Sequence, residues 1–391
     1  MILKLEPQTL ANEFSQLGIH PASEAIFLHK SEIVPLKILD IRTPAANIIK
    51  QEMLACGGDC AIPAGCVVCA EERVDVILLG TYKHYARLLE KLTQMPYFGM
   101  AGIKSELMAI LDAPIPQTIL YDGRTLNYDK MLVMGILNIT PDSFYAGSRV
   151  PQLEQVVEKA GEMLRQGAAV LDIGGESTRP GSDAVTADEE QKRIVPVIKA
   201  LKERYPACVI SIDTYRASTA EAALAAGADI INDVTAMSDL VVGSKVPIIL
   251  MHMRGTPKNM QQNCEYKNVV TEVAAYLLQR AKILENRGVA KEKIIFDPGI
   301  GFAKNIEQNL QLMQGLKSLT GLGYPVLLAA SRKSTIGSVL GGIPAEERLE
   351  GTIAASCQAV YAGAQMVRVH DVQENLRAIR MLEAILCPSH I

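Results

Sequence analysis

The chain has 391 residues, 49% of them hydrophobic and 21% charged, with a formal net charge of −4 and a pI near 6.0. That composition fits a soluble globular protein long enough for two domains, and it argues against nucleic acid or an anionic membrane surface as a partner. Any anionic ligand must then be held by a local cluster of Lys and Arg.

The opening MILKLEPQTL meets charged and polar residues too soon for a secretory signal. The longest apolar runs carry charges or prolines and are too short to cross a bilayer. A cytoplasmic protein is the expectation. Residues 1–125 read as a smaller α/β unit. VPLKILDI and VDVILLG have strand character, and PAANIIKQEMLACGG and HYARLLEKLTQM have helical character. Four of the eight cysteines, Cys56, Cys60, Cys66 and Cys69, crowd into this unit. The spacing of CVVC admits Zn²⁺ or an iron–sulfur cluster, but no His or second CxxC pair flanks it. The alternative is buried, reduced thiols on a strand and its neighbouring loop. LDAPIPQTILYDGRTLNYDK, rich in Pro, Gly and Asp, reads as a linker, so a chain starting near Asp129 is expected to keep the second domain whole.

From residue 131 a short apolar run alternates with an amphipathic stretch. The runs are MLVMGILNIT, AAVLDIGG, CVISID, DIINDV, VPIILMHM, KIIFDPG, PVLLAAS and QMVRVHD. Most are followed by a helical pattern, such as ADEEQKRIVPVIKALKERY or VVTEVAAYLLQRAKILENRG. Runs that are apolar throughout are strands buried on both faces, as in a parallel sheet. Eight such units in about 260 residues predict a (β/α)₈ TIM barrel over 126–391. An open doubly wound sheet is the alternative, but it would usually show GxGxxG after its first strand, and none is there.

In such a barrel the C-terminal strand ends share one face, where chemistry takes place. The polar residues closing the runs are Asn138, Asp172 with Glu176 and Arg179, Asp213, Asn232, His252 with Arg254, Asp297, Ser331–Lys333, and Arg368 with His370. Each has a plainer reading. Asp142 or Asp371 can be a helix N-cap, His252 a satisfied core histidine, and Asp172 a carboxylate paired inside the barrel. Capping by chance does not, however, put such residues at successive strand ends. Lys333, Arg368 and His370, with Arg179, form a basic set suited to a phosphate or diphosphate. Asn138 suits Mg²⁺, which takes few protein ligands and keeps waters and phosphate oxygens. Asp213, Asn232 and Asp297 are acceptors for a ligand edge with several N–H donors, such as a pterin or guanine. The glycines of DPGIGFAK let a flat ring approach the backbone.

These stretches carry a resemblance. MGILNITPDSF, DIGGESTRPG, SIDTYRA, IINDVTA, LMHMRGTP, FDPGIGFAK, AASRKSTIG and VRVHDV, in this order, resemble the dihydropteroate synthases across 131–391. Residues 1–125 look like the extension of longer members. The resemblance implies an enzyme that joins a dihydropterin bearing a CH₂–diphosphate to 4-aminobenzoate and releases diphosphate. It implies that Asp213, Asn232, Asp297 and Lys333 hold the pterin, Arg368 and His370 the diphosphate, and Asn138 the Mg²⁺. Thr178 matches a substrate-binding position, and Phe144, Pro180 and Ser334 would surround the aminobenzoate. Asp213, Lys333, Arg368 and His370 are the residues expected to serve catalysis. A homodimer is also implied. The first loop departs from the family: DSFYAGS stands where members often read DSFSDGG, so Ala146 replaces a carboxylate. Two other functions fit the barrel less well. A pterin-dependent methyltransferase has no diphosphate for the basic set to hold, and Ala146 alone supports a non-catalytic pterin-binding barrel.

Overall fold

The computed structural model describes residues 2–139, 149–176, 185–233, 245–255 and 264–388. The chain divides between Ala113 and Pro114 into two units. The first contains α1 (Leu10–Leu17), α2 (Pro21–Ser31), β1 (Val34–Arg42), α3 (Thr43–Cys56), β2 (Asp59–Ala61), β3 (Arg73–Gly80), α4 (Tyr82–Leu92) and α5 (Met100–Leu111). Its antiparallel sheet has the order β1-β3-β2. β3 alternates exposed and buried residues along its whole length, the mark of a sheet with one packed face. Val74, Val76 and Leu78 share a core with Ile49, Met53, Tyr85 and Leu88. Cys56, Cys60 and Cys66 belong to that core, and Cys69 is exposed. Burial pushes the Cys60 thiol up to about 11, the opposite of what a reactive thiol needs. Among the described residues no three His, Cys, Asp or Glu side chains converge on a metal position.

The stretch read as a linker folds. β4 (Gln117–Ile119) and β5 (Thr125–Asn127) form a hairpin whose turn places Gly123 at φ 87°, with Arg124 N donating to Asp122 Oδ1 at 3.0 Å. Residues 114–125 therefore belong with the second unit, and the boundary lies before 125/126.

Eight parallel strands follow: β6 (Leu132–Asn138), β7 (Val170–Gly174), β8 (Ile210–Asp213), β9 (Ile230–Asp233), β10 (Ile248–Met251), β11 (Ile294–Asp297), β12 (Leu327–Leu328) and β13 (Met366–Val369). Their order is β11-β10-β9-β8-β7-β6-β13-β12, and a parallel bridge between Phe296 and Val326 closes the barrel. The helices are α6 (Arg149–Arg165), α7 (Ala187–Arg204), α8 (Ala217–Ala226), α9 (Val269–Asn286), α10 (Ile306–Gln314), α11 (Lys317–Thr320), α12 (Ser334–Val339), α13 (Leu349–Tyr361) and α14 (Val372–Leu386). Each predicted strand is present, so the (β/α)₈ expectation holds.

Within these apolar runs the period of two sorts residues by face. Val133, Leu171, Ile210, Ile231, Ile248, Ile294, Leu328 and Val367 join the core that the helices share. Their neighbours Met134, Val170, Val209, Ile230, Ile249, Ile295, Leu327 and Met366 form a separate cluster with Leu120, Leu126 and Tyr128 of the hairpin. The hairpin thus corks the barrel opposite the strand C-termini. Thr118 and Tyr128 share a buried 2.7 Å hydrogen bond, Lys293 Nζ donates to Leu120 O at 3.2 Å, and Arg124 reaches Ala207 O at 2.7 Å and Asp229 Oδ1 at 3.2 Å.

Candidate active site

Two residues beyond each apolar lumen position, toward the strand C-termini, the composition becomes largely polar. Val170 is followed by Asp172, Val209 by Ser211, Ile230 by Asn232, Ile295 by Asp297 and Met366 by Arg368. Another two residues bring Asn138 on β6, Asp213, Ser331 and His370. This layering is the reason strand-end residues meet in one pocket.

Arg368 is the hub of the lumen. Its Nε donates to Asp172 Oδ2 at 2.5 Å and an Nη donates to Asp213 Oδ2 at 2.8 Å. Asn232 Nδ2 donates to the Asp172 oxygens at 3.2 and 3.4 Å. Asp172 is fully buried, and among the described residues its side-chain partners are Arg368 and Asn232, in keeping with its reading as an internally paired carboxylate. Burial pushes the Asp213 carboxyl up to about 7, against the pull of Arg368 and with the push of Asp172. Arg368 therefore stands with the acceptor set Asp213 and Asn232 rather than apart from it.

Lys333 approaches from the next loop. Arg332 sits at φ 55°, a left-handed conformation that must be held by its surroundings. Its guanidinium pairs with both Asp371 oxygens at 2.9 and 2.6 Å, its N–H donates to Thr352 Oγ1 at 3.0 Å, and its carbonyl accepts from Arg348 at 2.9 Å. Asp371 makes no capping bond to α14, so its work is this pairing. Ser334 is exposed at the start of α12. Lys333 Nζ donates to the Ile300 carbonyl and lies 4.7 Å from the Phe302 ring centroid. Desolvation lowers its ammonium to about 8, with Asp297 opposing. Asp297 is buried and its Oδ1 accepts from Gly299 N at 2.7 Å; burial raises its carboxyl above the usual range, with Lys333 opposing. Gly299 has φ 69°, and a Cβ there would lie 2.1 Å from the His252 carbonyl oxygen, so only glycine fits.

His370 is tied to Ser331: Oγ and Nδ1 lie 2.9 Å apart, and His370 N donates to Ser331 Oγ at 3.1 Å. Asn138 is exposed at the end of β6. It and Asp213 flank Gly174, where a Cβ would lie 3.4 Å from Asn138 Oδ1 and 3.8 Å from Asp213 Cβ. A single carboxamide oxygen cannot cage a bare cation. It fits Mg²⁺ that keeps its waters and takes phosphate oxygens from a ligand. Phe144, Thr178, Arg179, Pro180 and Ala146 lie outside the described residues. Glu176, at the start of GESTRPG, is paired with Arg216 at 2.5 Å, and the same guanidinium holds Glu190 at 2.7 Å and the Val185 carbonyl at 2.7 Å.

One group here had no signal at the strand ends, Lys304, and it meets His252, which closes the β10 run. His252 is buried, its ring edge-on to Tyr276 at 4.9 Å. Its Nδ1 lies 3.0 Å from Lys304 Nζ, the last residue of DPGIGFAK, which is only 2% exposed. Desolvation, with Lys304 and Arg254 alongside, lowers His252 to about 3, so its ring is neutral.

The family model of the pterin binding enzymes matches residues 134–370. The dihydropteroate synthase of Bacillus subtilis is 45% identical over 264 residues, 66% of this chain and 90% of that one. A probable bifunctional folylpolyglutamate synthase/dihydropteroate synthase of Halobacterium salinarum is 38% identical over 352 residues. That match takes in 88% of this chain, so it extends into the first unit, but only 42% of the relative's own length. Among solved structures, the Xanthomonas albilineans dihydropteroate synthase with 4-aminobenzoic acid superposes with a TM-score of 0.65 at 40% identity, over 70% of this chain and 99% of that one. The same organism's enzyme in complex with 7,8-dihydropteroate gives a TM-score of 0.62 at 37% identity, over 70% and 99%.

Proposed function

Because the chain belongs to the dihydropteroate synthases, transferases among the pterin-binding enzymes, we propose that it condenses 6-hydroxymethyl-7,8-dihydropterin diphosphate with 4-aminobenzoate to 7,8-dihydropteroate and diphosphate, in folate biosynthesis. The observation that carries this reading is the polar layer above the apolar cork. Asp213, Asn232 and Asp297 converge there with Lys333 and Arg368, offering acceptors for the donor-rich edge of a pterin. Arg368, which also steers Asp213 in this arrangement, and His370 are the groups to face the diphosphate, with Arg179 from the loop after β7, and Lys333 holds the pterin. Thr178, Pro180, Phe144 and Ser334 complete the aminobenzoate side.

The chemistry asked of these residues is modest. An aromatic amine is already neutral near pH 7, so no strong base is required. Departure of diphosphate is the demanding step. In a dissociative displacement the methylene C–O bond breaks first, its electron pair leaving with the diphosphate. The aminobenzoate nitrogen then bonds to the methylene and releases its proton to solvent. Basic groups stabilise the leaving charge, and the carboxylates tolerate positive charge spread over the pterin. Asn138 is the residue that would hold Mg²⁺, and the chemistry a bound Mg²⁺ supplies is neutralisation of the diphosphate. A homodimer is part of the proposal. The exposed apolar groove lined by Leu310, Met313, Ile336, Val339 and Leu340, about 390 Å³, is the face offered for it. We place the enzyme in the cytoplasm; no helix among the described residues is long and apolar enough to cross a membrane.

Asp297→Asn tests the reading. It keeps the size of the side chain but sets a donor against donors. A lost hydrogen bond to a charged group costs about 1.5–3 kcal/mol, roughly 10- to 150-fold in affinity. Calorimetric titration is expected to show pterin binding weakened by that factor and inorganic diphosphate binding spared. Unchanged pterin affinity removes Asp297 from the pocket. Wild-type pterin affinity is expected to fall as pH drops below about 7, where Asp213 gains a proton and ceases to be a pure acceptor. For Asn138→Ala, Mg²⁺-dependent binding of the diphosphate substrate is expected to weaken about tenfold, about 1.4 kcal/mol. A pterin without diphosphate should bind as before; equal losses for both ligands count against the metal assignment.

A further inference from the structure

Residues 299–304 have no regular secondary structure, yet their carbonyls are nearly all engaged by side chains. Gly299 O accepts from Lys304 Nζ at 3.0 Å, Ile300 O from Lys333, Phe302 O from Lys304 Nζ at 2.9 Å, Ala303 O from Tyr266 at 3.0 Å, and Lys304 O from Asn309 at 3.3 Å. Backbone polar groups buried in a loop must find such partners. One cation supplies two of them. An ammonium has three protons, and Lys304 spends them on Gly299 O, Phe302 O and His252 Nδ1, with His252 O further off at 3.4 Å. Among the described residues no carboxylate contacts it directly. A buried charge held only by carbonyls and a neutral imidazole is expensive to maintain, and packing alone would be served as well by Met or Leu.

We infer that Lys304 is a positioning residue of the pterin pocket: its ammonium ties the loop after β11 to the end of β10 and so fixes Asp297, the Ile300 carbonyl and Phe302 in place. The inference rests on the function proposed above. Asp297 starts this loop, the Ile300 carbonyl anchors Lys333, and Phe302 lies under the Lys333 ammonium. Lys304 sets three of the pocket's contacts without touching the ligand. It also acts on charge. Asp297 is faced by Lys333 from the loop after β12, by Arg368 from β13 and by Lys304 from its own loop. Lys304 in turn is faced by Asp297, Lys333, Arg254 and Cys264, and desolvation brings it down to about 7. Removing it leaves Asp297 with one cation fewer, so its carboxyl takes a proton at higher pH.

The test is titration of the full-length protein with a pterin lacking diphosphate, from pH 5.5 to 8.5, and with inorganic diphosphate. Lys304→Met is expected to weaken pterin binding at least tenfold. The part of the acid-side fall that Asp297 sets should move to higher pH, a shift that a simple packing defect does not produce. Diphosphate binding should change less than twofold. Lys304→Gln keeps N–H donors for the carbonyls but no charge. It decides the matter if the Met variant does not fold: the same pH shift is expected, with about a three- to tenfold loss. A folded variant with wild-type pterin affinity and an unmoved acid limb overturns the inference. A wild-type protein that binds no pterin overturns the proposed function instead.

Discussion

Arg368→Met is expected to lower the unfolding free energy by about 3–5 kcal/mol at pH 8, since it strands the buried carboxylates of Asp172 and Asp213. The loss should be pH-dependent, and its sign follows from Asp213. Its carboxyl rises from 3.8 in the unfolded chain to about 7 in the fold. The folded state therefore holds this proton more tightly, and its contribution to stability declines as pH rises between those values. Removing Arg368 takes away the nearest counter-charge and extends the decline above 7. Urea unfolding at pH 5.5 and 8.5 should show the variant closer to wild type at the lower pH. A deficit equal at both values, or larger at pH 5.5, would show that Arg368 is not the counter-ion of this pair. Pterin binding should be lost at either pH, since Asp213 is no longer steered.

A chain that begins at Asp129 is expected to fail where one that begins at Pro114 folds. The shorter chain lacks Leu120, Leu126 and Tyr128, which meet one lumen residue from each barrel strand. Burying each side chain contributes about 1.5–3 kcal/mol, together about 5–9, against a total stability of about 5–15 kcal/mol for a typical domain. Circular dichroism with dye binding should find the Asp129 chain expanded and dye-binding, and the Pro114 chain cooperative on heating. Equal melting temperatures for the two would mean that the cork contributes nothing.

These outcomes mark where the sequence was readable. The eight barrel strands stand out because burial on both faces makes them apolar throughout. The polar layer stands out because the period of two must break that pattern at Asp172, Asn232, Asp297 and Arg368. The cork was hidden by its brevity: two three-residue strands around Asp122–Gly123 have the composition of a linker, and Leu120 and Leu126 are too few to give a pattern. Arg368 is basic by composition, but that does not reveal that its guanidinium faces two carboxylates brought in by β7 and β8. Lys304 escaped because its partners are carbonyls, which every residue carries and no motif records. In the first unit, α1, α2, β2 and α5 were missed, being short or weakly patterned beside β1, β3, α3 and α4.

The seam of the barrel bears on how the protein is made. β6, the first barrel strand to be synthesised, pairs with β13, the last. Met131 N, just before β6, donates at 2.7 Å to Glu383 of α14, 252 positions later in the chain. Until α14 has been translated, β6 has an open edge and an apolar face without its final cover. Open strand edges recruit other strands, and contacts this distant in sequence form slowly. The nascent barrel is thus expected to be most prone to aggregation in the interval before the two ends meet.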